Sequence, residues 1–198
     1  SILFFHGNGE VACDYDWIAP LYSQEGISLF VADYRGYGLS GGRPTFSNMT
    51  TDAHSIFHFF LKTVQPSPTS PLFLMGRSLG SHSAVELAYH YGEHLGGLII
   101  ESGSASMARL FSFFGFPGDR AEYLEEVALA RIRSLTLPVL IIHGERDSII
   151  PPTEATKFFK TLTSKEKRLV TIPSAEHNDI MLVGMEQYFS AIREFVFP

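Results

Sequence analysis

The chain has 198 residues, 45% of them hydrophobic and 18% charged, enough apolar material for one well-buried domain and too little length for two of ordinary size. Its formal net charge of −6 excludes bulk electrostatic attraction to nucleic acid or to an anionic membrane. The single cysteine, Cys13, rules out an internal disulfide and suits a cytoplasmic setting, and no run approaches the ~20 apolar residues of a membrane-spanning helix.

Short apolar runs alternate with helical patterns along the whole chain, the arrangement of a parallel sheet covered by helices on both faces. The runs predict strands at 2–5, 28–32, 72–75, 98–100, 139–142 and 169–172. Between them, helices are predicted near 15–24, 52–64, 79–91, 120–133, 153–162 and 180–195. Gly26 and Gly92 fall where helix C-caps are expected, Thr51 or Asp52 can cap the second helix, and Asp119 can cap the fourth. No internal repeat, low-complexity tract or linker interrupts the pattern, so residues 1–198 are expected to form one α/β domain. A short cap-like insertion is expected at about 103–134.

The strand at 72–75 runs into Gly76-Arg77-Ser78-Leu79-Gly80, which opens the helix at 79–91. A serine with glycine two residues to either side, between a strand and a helix, is a nucleophile elbow: the turn is too tight for side chains at the flanking positions. A serine hydroxyl needs a base to take its proton, and the base needs a carboxylate to fix its tautomer. The strand at 139–142 ends in His143-Gly144-Glu145-Arg146-Asp147, which delivers an acid, Asp147. The loop after 169–172, Ser174-Ala175-Glu176-His177-Asn178-Asp179, delivers a base, His177. The first strand empties into His6-Gly7-Asn8-Gly9, and backbone N–H groups of Asn8 and Leu79 are candidates for an oxyanion hole.

These segments, with Asp33-Tyr34-Arg35-Gly36-Tyr37-Gly38-Leu39-Ser40-Gly41, resemble the α/β-hydrolases of the serine hydrolase type, over Ile2 to the C-terminus. The order Ser78, Asp147, His177 is the nucleophile, acid, base order of that fold. Within it, the chain is similar to a compact subgroup of protein depalmitoylases and bacterial hydrolases. The resemblance implies a mostly parallel sheet flanked by helices on both faces, with a minimal cap. Family members carry strands before the one that ends in His6-Gly7, so the N-terminal edge strands are expected to be absent from this sequence. The implied activity is hydrolysis of a carboxylic ester or thioester through an acyl-enzyme, with no metal or organic cofactor. The implied partner is a small-molecule or acylated substrate, with no nucleic acid and no membrane span within the chain.

Competing assignments exist at several positions. Glu101, at the end of the fourth strand, is a rival acid for His177. His54/His58 and His90/His94 have the i, i+4 spacing of metal ligands, but neither pair has the His-Glu-x-x-His order of a zinc peptidase, so helix-surface histidines are expected there. The glycine-rich segment at 33–42 lacks the lysine and hydroxyl of a phosphate loop and is expected to be a structural turn fixed by Arg35 and Asp33. Phe111, Phe113, Phe114 and Phe116 stand where a cap contacts an apolar acyl group, or where a short insertion packs on the core. Two other function classes fit the fold: an aminopeptidase or amidase of the same type, and a non-catalytic binding module on a hydrolase scaffold.

Overall fold

Strands form where the chain is apolar on successive residues, because both faces of the sheet are buried. The computed structural model describes residues 1–64, 70–106 and 121–198, without the side chains of residues 121–123. Among these residues, six strands form one sheet: β1 (Ile2–Phe5), β2 (Leu29–Val31), β3 (Phe73–Arg77), β4 (Gly97–Glu101), β5 (Val139–Gly144) and β6 (Lys167–Ile172). Their order is β2-β1-β3-β4-β5-β6 and every pairing is parallel. The helices are α1 (Ala19–Gln24), α2 (Phe46–Phe59), α3 (Ser81–Tyr91), α4 (Ala121–Ser134), α5 (Pro152–Thr161), α6 (Ile180–Val183) and α7 (Met185–Val196).

Alternation along each strand sorts the side chains into two cores. Leu3, Leu74, Ile100 and Ile141 face Ala53 and Phe57 of α2, Ala84 and Leu87 of α3, and Ile132 of α4. Phe4, Met75, Ile99 and Leu140 face Tyr22 of α1 and Tyr188, Phe189 and Ile192 of α7. Residues Val139 to Ile142 of β5 are all fully buried, and each such side chain contributes about 1.5–3 kcal/mol relative to exposure.

The predicted strands agree with those observed to within two residues at their ends. Several helical boundaries differ: the first helix begins at Ala19 rather than near 15, after a 3₁₀ turn at Ala12–Tyr15. The second helix starts earlier, at Phe46, because Thr45 is its N-cap and its Oγ1 accepts from the Asn48 amide at 3.1 Å. Asp52 therefore lies inside α2, where it pairs with Arg35. The C-terminal helix is two helices divided at Gly184, whose backbone (φ −122°, ψ 36°) leaves helical geometry where it backs onto the Ile172 side chain. Gly26 adopts the left-handed conformation of a C-cap (φ 74°), whereas Gly92 continues into a short 3₁₀ turn, Gly92–His94. Asp119 lies outside the described residues.

The chain leaves β1 outward to β2 and returns across β1 to β3, so the direction of winding reverses between β1 and β3. In sheets of this type, ligands bind beyond the carboxyl ends of the strands at that crevice. The loop after β1 and the turn after β3 both open there.

Candidate active site

The turn after β3 forces its serine into an uncommon conformation. Ser78 has φ 50°, in the left-handed region that non-glycine residues rarely occupy. The turn closes because Gly76 and Gly80 carry no side chains: a Cβ on Gly76 would lie 2.6 Å from the Gly80 carbonyl oxygen, and one on Gly80 would overlap the carbonyl oxygens of Phe5 and His6. The same close approach brings the segment after β1 against the elbow. The Ser81 hydroxyl donates to the Ser78 carbonyl at 2.6 Å and ties the turn to the first residue of α3.

Three loops from separate strands converge on Ser78. His177 Nε2 lies 3.1 Å from Ser78 Oγ, and His177 Nδ1 lies 2.7 Å from Asp147 Oδ2. All three residues are buried, with Ser78 the most accessible at 9%. An aspartate oxygen at Nδ1 selects the imidazole tautomer with its proton on Nδ1, which leaves Nε2 free to accept from the serine hydroxyl. The other oxygen, Asp147 Oδ1, accepts from the Ile149 and Ile150 amides at 3.0 and 2.7 Å, so the carboxylate plane is held from two sides. His143 donates from Nε2 to the Ile150 carbonyl at 2.7 Å, and burial pushes its imidazole below the ordinary range, keeping the ring neutral beside Asp147. Gly144 allows the acid and histidine loops to meet, since a Cβ there would stand 2.5 Å from the Ala175 carbonyl oxygen.

Glu101, the rival acid, is committed elsewhere. It accepts from Arg77 Nε at 3.1 Å and from the Tyr188 hydroxyl at 2.6 Å. Arg77 is itself a residue that motif reading passes over, because it occupies a variable position of the elbow. Its guanidinium, 11% exposed, also pairs with Glu10 and donates from one nitrogen to the His177 carbonyl and to Asn178 Oδ1, each at 2.8 Å. Glu10 in turn accepts from the Gly7 amide at 2.7 Å and from the Tyr15 hydroxyl at 2.5 Å. One buried cation thus joins the loop after β1, the elbow, the end of β4 and the histidine loop.

The segment at 33–42 braces the loop after β1. Tyr34 donates to the His6 carbonyl at 3.2 Å and Tyr37 donates to Asn8 Oδ1 at 2.6 Å. Asp33 accepts from the Ala12 amide at 2.8 Å, and Arg35 anchors the segment to α2 through Asp52. Asn8 and Leu79 therefore stand at the ends of adjacent parallel strands whose register pairs Phe5 with Gly76. Phe111, Phe113, Phe114 and Phe116 lie outside the described residues.

The histidine pairs of the helices are arranged differently from their sequence spacing. His54 of α2 meets His90 of α3, their ring centroids 5.1 Å apart, with Glu86 between them, while His54 Nδ1 and His58 Nε2 both lie against the Tyr91 hydroxyl, at 3.0 and 3.2 Å. Among the described residues, no helix is long and apolar enough to cross a membrane.

A doubly covered parallel sheet with a serine elbow, an acid loop and a histidine loop at its carboxyl edge defines the α/β-hydrolase superfamily. The family model described as serine aminopeptidase, S33, matches residues 1–114 and 123–181, and the chain belongs to that family. It is 30% identical to an uncharacterized membrane protein, YNL320W, of Saccharomyces cerevisiae, over 88% of this chain and 62% of that protein. It is also 30% identical to the human alpha/beta hydrolase domain-containing protein 17B, over 99% of this chain and 66% of that protein. The chain thus spans about three-fifths to two-thirds of these relatives' length. The crystal structure of a monoacylglycerol lipase from Paleococcus ferrophilus superposes with a TM-score of 0.77 at 19% identity, covering 98% of this chain and 93% of that one.

Proposed function

We propose that this chain is a serine hydrolase that cleaves a carboxylic ester or thioester of an apolar acyl group. The observation that carries the reading is the hydrogen-bonded line from Ser78 through His177 to Asp147, on a left-handed elbow at the mouth of the β1/β3 crevice. Ser78 Oγ attacks the substrate carbonyl while His177 Nε2 takes its proton, and Asp147 stabilises the imidazolium. The Asn8 and Leu79 amides hold the developing oxyanion. The tetrahedral intermediate collapses as His177 protonates the leaving alcohol or thiol. A water then loses its proton to His177, attacks the acyl-enzyme, and releases the carboxylic acid with Ser78 restored. No metal or cofactor takes part.

We further read residues 1–198 as one domain whose cap-like segment at 103–134 brings Phe111, Phe113, Phe114 and Phe116 to the acyl chain, in a cytoplasmic protein that binds no nucleic acid. The monoacylglycerol lipase likeness and the resemblance to depalmitoylases both support an acyl substrate. The family's description favours a second reading, aminopeptidase action. Such action needs acidic groups free to hold a substrate ammonium, and the two carboxylates bound to the elbow's arginine, Glu10 and Glu101, are already paired with it. A non-catalytic module is disfavoured because all three triad residues are present and in contact.

A fluorophosphonate probe and a graded series of p-nitrophenyl esters test the proposal. Wild-type protein should label and turn over esters, and Ser78→Ala should lose both while retaining its circular dichroism spectrum. Full ester turnover by Ser78→Ala, or no labelling of the wild type, would overturn it.

A further inference from the structure

On the sheet face covered by α2 and α3, a cluster outside the triad has the composition and spacing of a metal site. His54 Nε2 and His90 Nε2 both turn to the same atom, Glu86 Oε1, at 3.3 and 3.1 Å. The three candidate ligand atoms lie within 4.8 Å of one another. We propose that His54, Glu86 and His90 bind a divalent ion of the zinc type, which fastens α2 to the helix that carries the nucleophile elbow.

Geometry and chemistry agree on this class of ion. Two imidazole nitrogens and one carboxylate oxygen are donors of the kind zinc prefers, and ligands 2.0–2.1 Å from a tetrahedral ion stand about 3.3 Å apart, as both Nε2–Oε1 pairs already do. The histidine pair needs only side-chain rotation to close on the ion. His54 and His90 are 28% and 43% exposed at their side chains, so an ion enters from solvent and keeps water in its fourth position. Glu86 is fixed beneath them: its other oxygen pairs with Arg131 of α4, leaving Oε1 as a one-atom ligand. Arg131 repels a cation bound beside Glu86 and so weakens its binding.

The outer contacts suit a ligand role. A histidine bound to a metal through Nε2 has its proton on Nδ1, which donates a hydrogen bond to an outer partner. His54 Nδ1 lies 3.0 Å from the Tyr91 hydroxyl, which lies 3.2 Å from His58 Nε2, so the relay Nδ1–H to phenol to His58 is already aligned. Glu86 and His90 come from α3, which starts at Ser81 directly after the elbow, while His54 comes from α2, which also anchors the loop at 33–42 through Asp52. The ion would therefore join, on one face of the sheet, the helix that follows the elbow to the helix that anchors the 33–42 segment.

The test is calorimetric titration of EDTA-stripped protein with zinc ion, alongside thermal melts. Wild-type protein should bind one equivalent, and its melting temperature should rise by roughly 5–10 °C when free zinc is about 100-fold above Kd. His54→Gln and His90→Gln, at positions exposed enough to keep the fold, should each weaken binding by at least about tenfold, as loss of even outer-sphere partners does. His94→Gln should bind as the wild type does. Ester turnover of stripped and loaded protein is recorded in parallel, so that a failure of zinc binding and a failure of the hydrolase reading are separate results. Absence of stoichiometric binding at submillimolar zinc, or undiminished binding in the His54→Gln/His90→Gln double variant, would overturn the proposal.

Discussion

Replacing Arg77 with leucine tests how far the site depends on a buried charge. The guanidinium neutralises Glu101, which is 6% exposed at its side chain, and Glu10, which is 23% exposed. Removing one partner of a buried pair strands the other charge, at a cost of about 3–5 kcal/mol. Glu10 lines a cleft of about 210 Å³, so part of its charge is hydrated, and the lower end, about 3 kcal/mol, applies. For a domain of this size each kcal/mol shifts the melting temperature by about 2–4 °C, so Arg77→Leu should melt roughly 6–12 °C lower. Activity should fall as well. Arg77 also holds the His177 carbonyl and Asn178, and a displacement of about 1 Å at a catalytic group can cost ~10²-fold in rate. Combining Arg77→Leu with Glu101→Gln removes the stranded charge but keeps an acceptor for Tyr188, so the double variant should recover part of the lost stability. Thermal melts by circular dichroism and kcat on a p-nitrophenyl ester read both effects. A melting temperature within about 2 °C of wild type and an unchanged kcat would refute the reasoning, and strict additivity in the double variant would refute the stranded charge as its cause.

Other outcomes follow from the same geometry. Asp147→Asn should lower kcat by up to ~10⁴-fold, the scale known for a triad held in the wrong tautomer, while Glu101→Gln should cost less than about tenfold; comparable losses in the two would refute Asp147 as the acid. Gly80→Ala should be poorly folded, because its Cβ meets the Phe5 and His6 carbonyl oxygens, rigid atoms that cannot step aside, and a wild-type melting temperature would contradict this. Burial holds the imidazoles of His6, His82 and His143 below their ordinary range, His82 at about 4. The unfolded chain therefore takes up protons first as pH falls below about 6.5, and the stabilising contribution, complete above that pH, is lost between about 6.5 and 4. For His82 the full loss is about 3 kcal/mol, reduced by the partial exposure of its ring, and urea midpoints at pH 7 and 4.5 should differ less in His82→Gln; an identical difference would rule His82 out.

What motif reading recovers, and what it misses, separates along one physical line. Strands buried on both faces, such as β1 and β5, show themselves as nearly unbroken apolar runs. The edge strand β6 is legible from its shorter run Leu169-Val170, between exposed Arg168 and Thr171, and from Ile172. The elbow is legible because its two glycines answer a steric demand made by near neighbours in the chain. The residues that hold the loops together answer demands made across the fold. Arg77 bonds to a glutamate 67 residues before it and to the His177 carbonyl 100 residues after it, and no local pattern links either partner to the arginine. Spacing along the helices read His54, His58, His90 and His94 as helix-surface histidines, yet packing of α2 on α3 brings His54 to His90, because facing helices bring together residues that are distant in sequence. The same argument explains the start of α2. Its cap, Thr45, stands in a run rich in glycine, proline and polar residues that reads as loop, and only the docking of Met49, Ala53 and Phe57 on the sheet shows how far back the helix must extend. Chemistry placed by a strand end is thus readable from sequence, whereas the clamps that hold such chemistry in register belong to the folded chain.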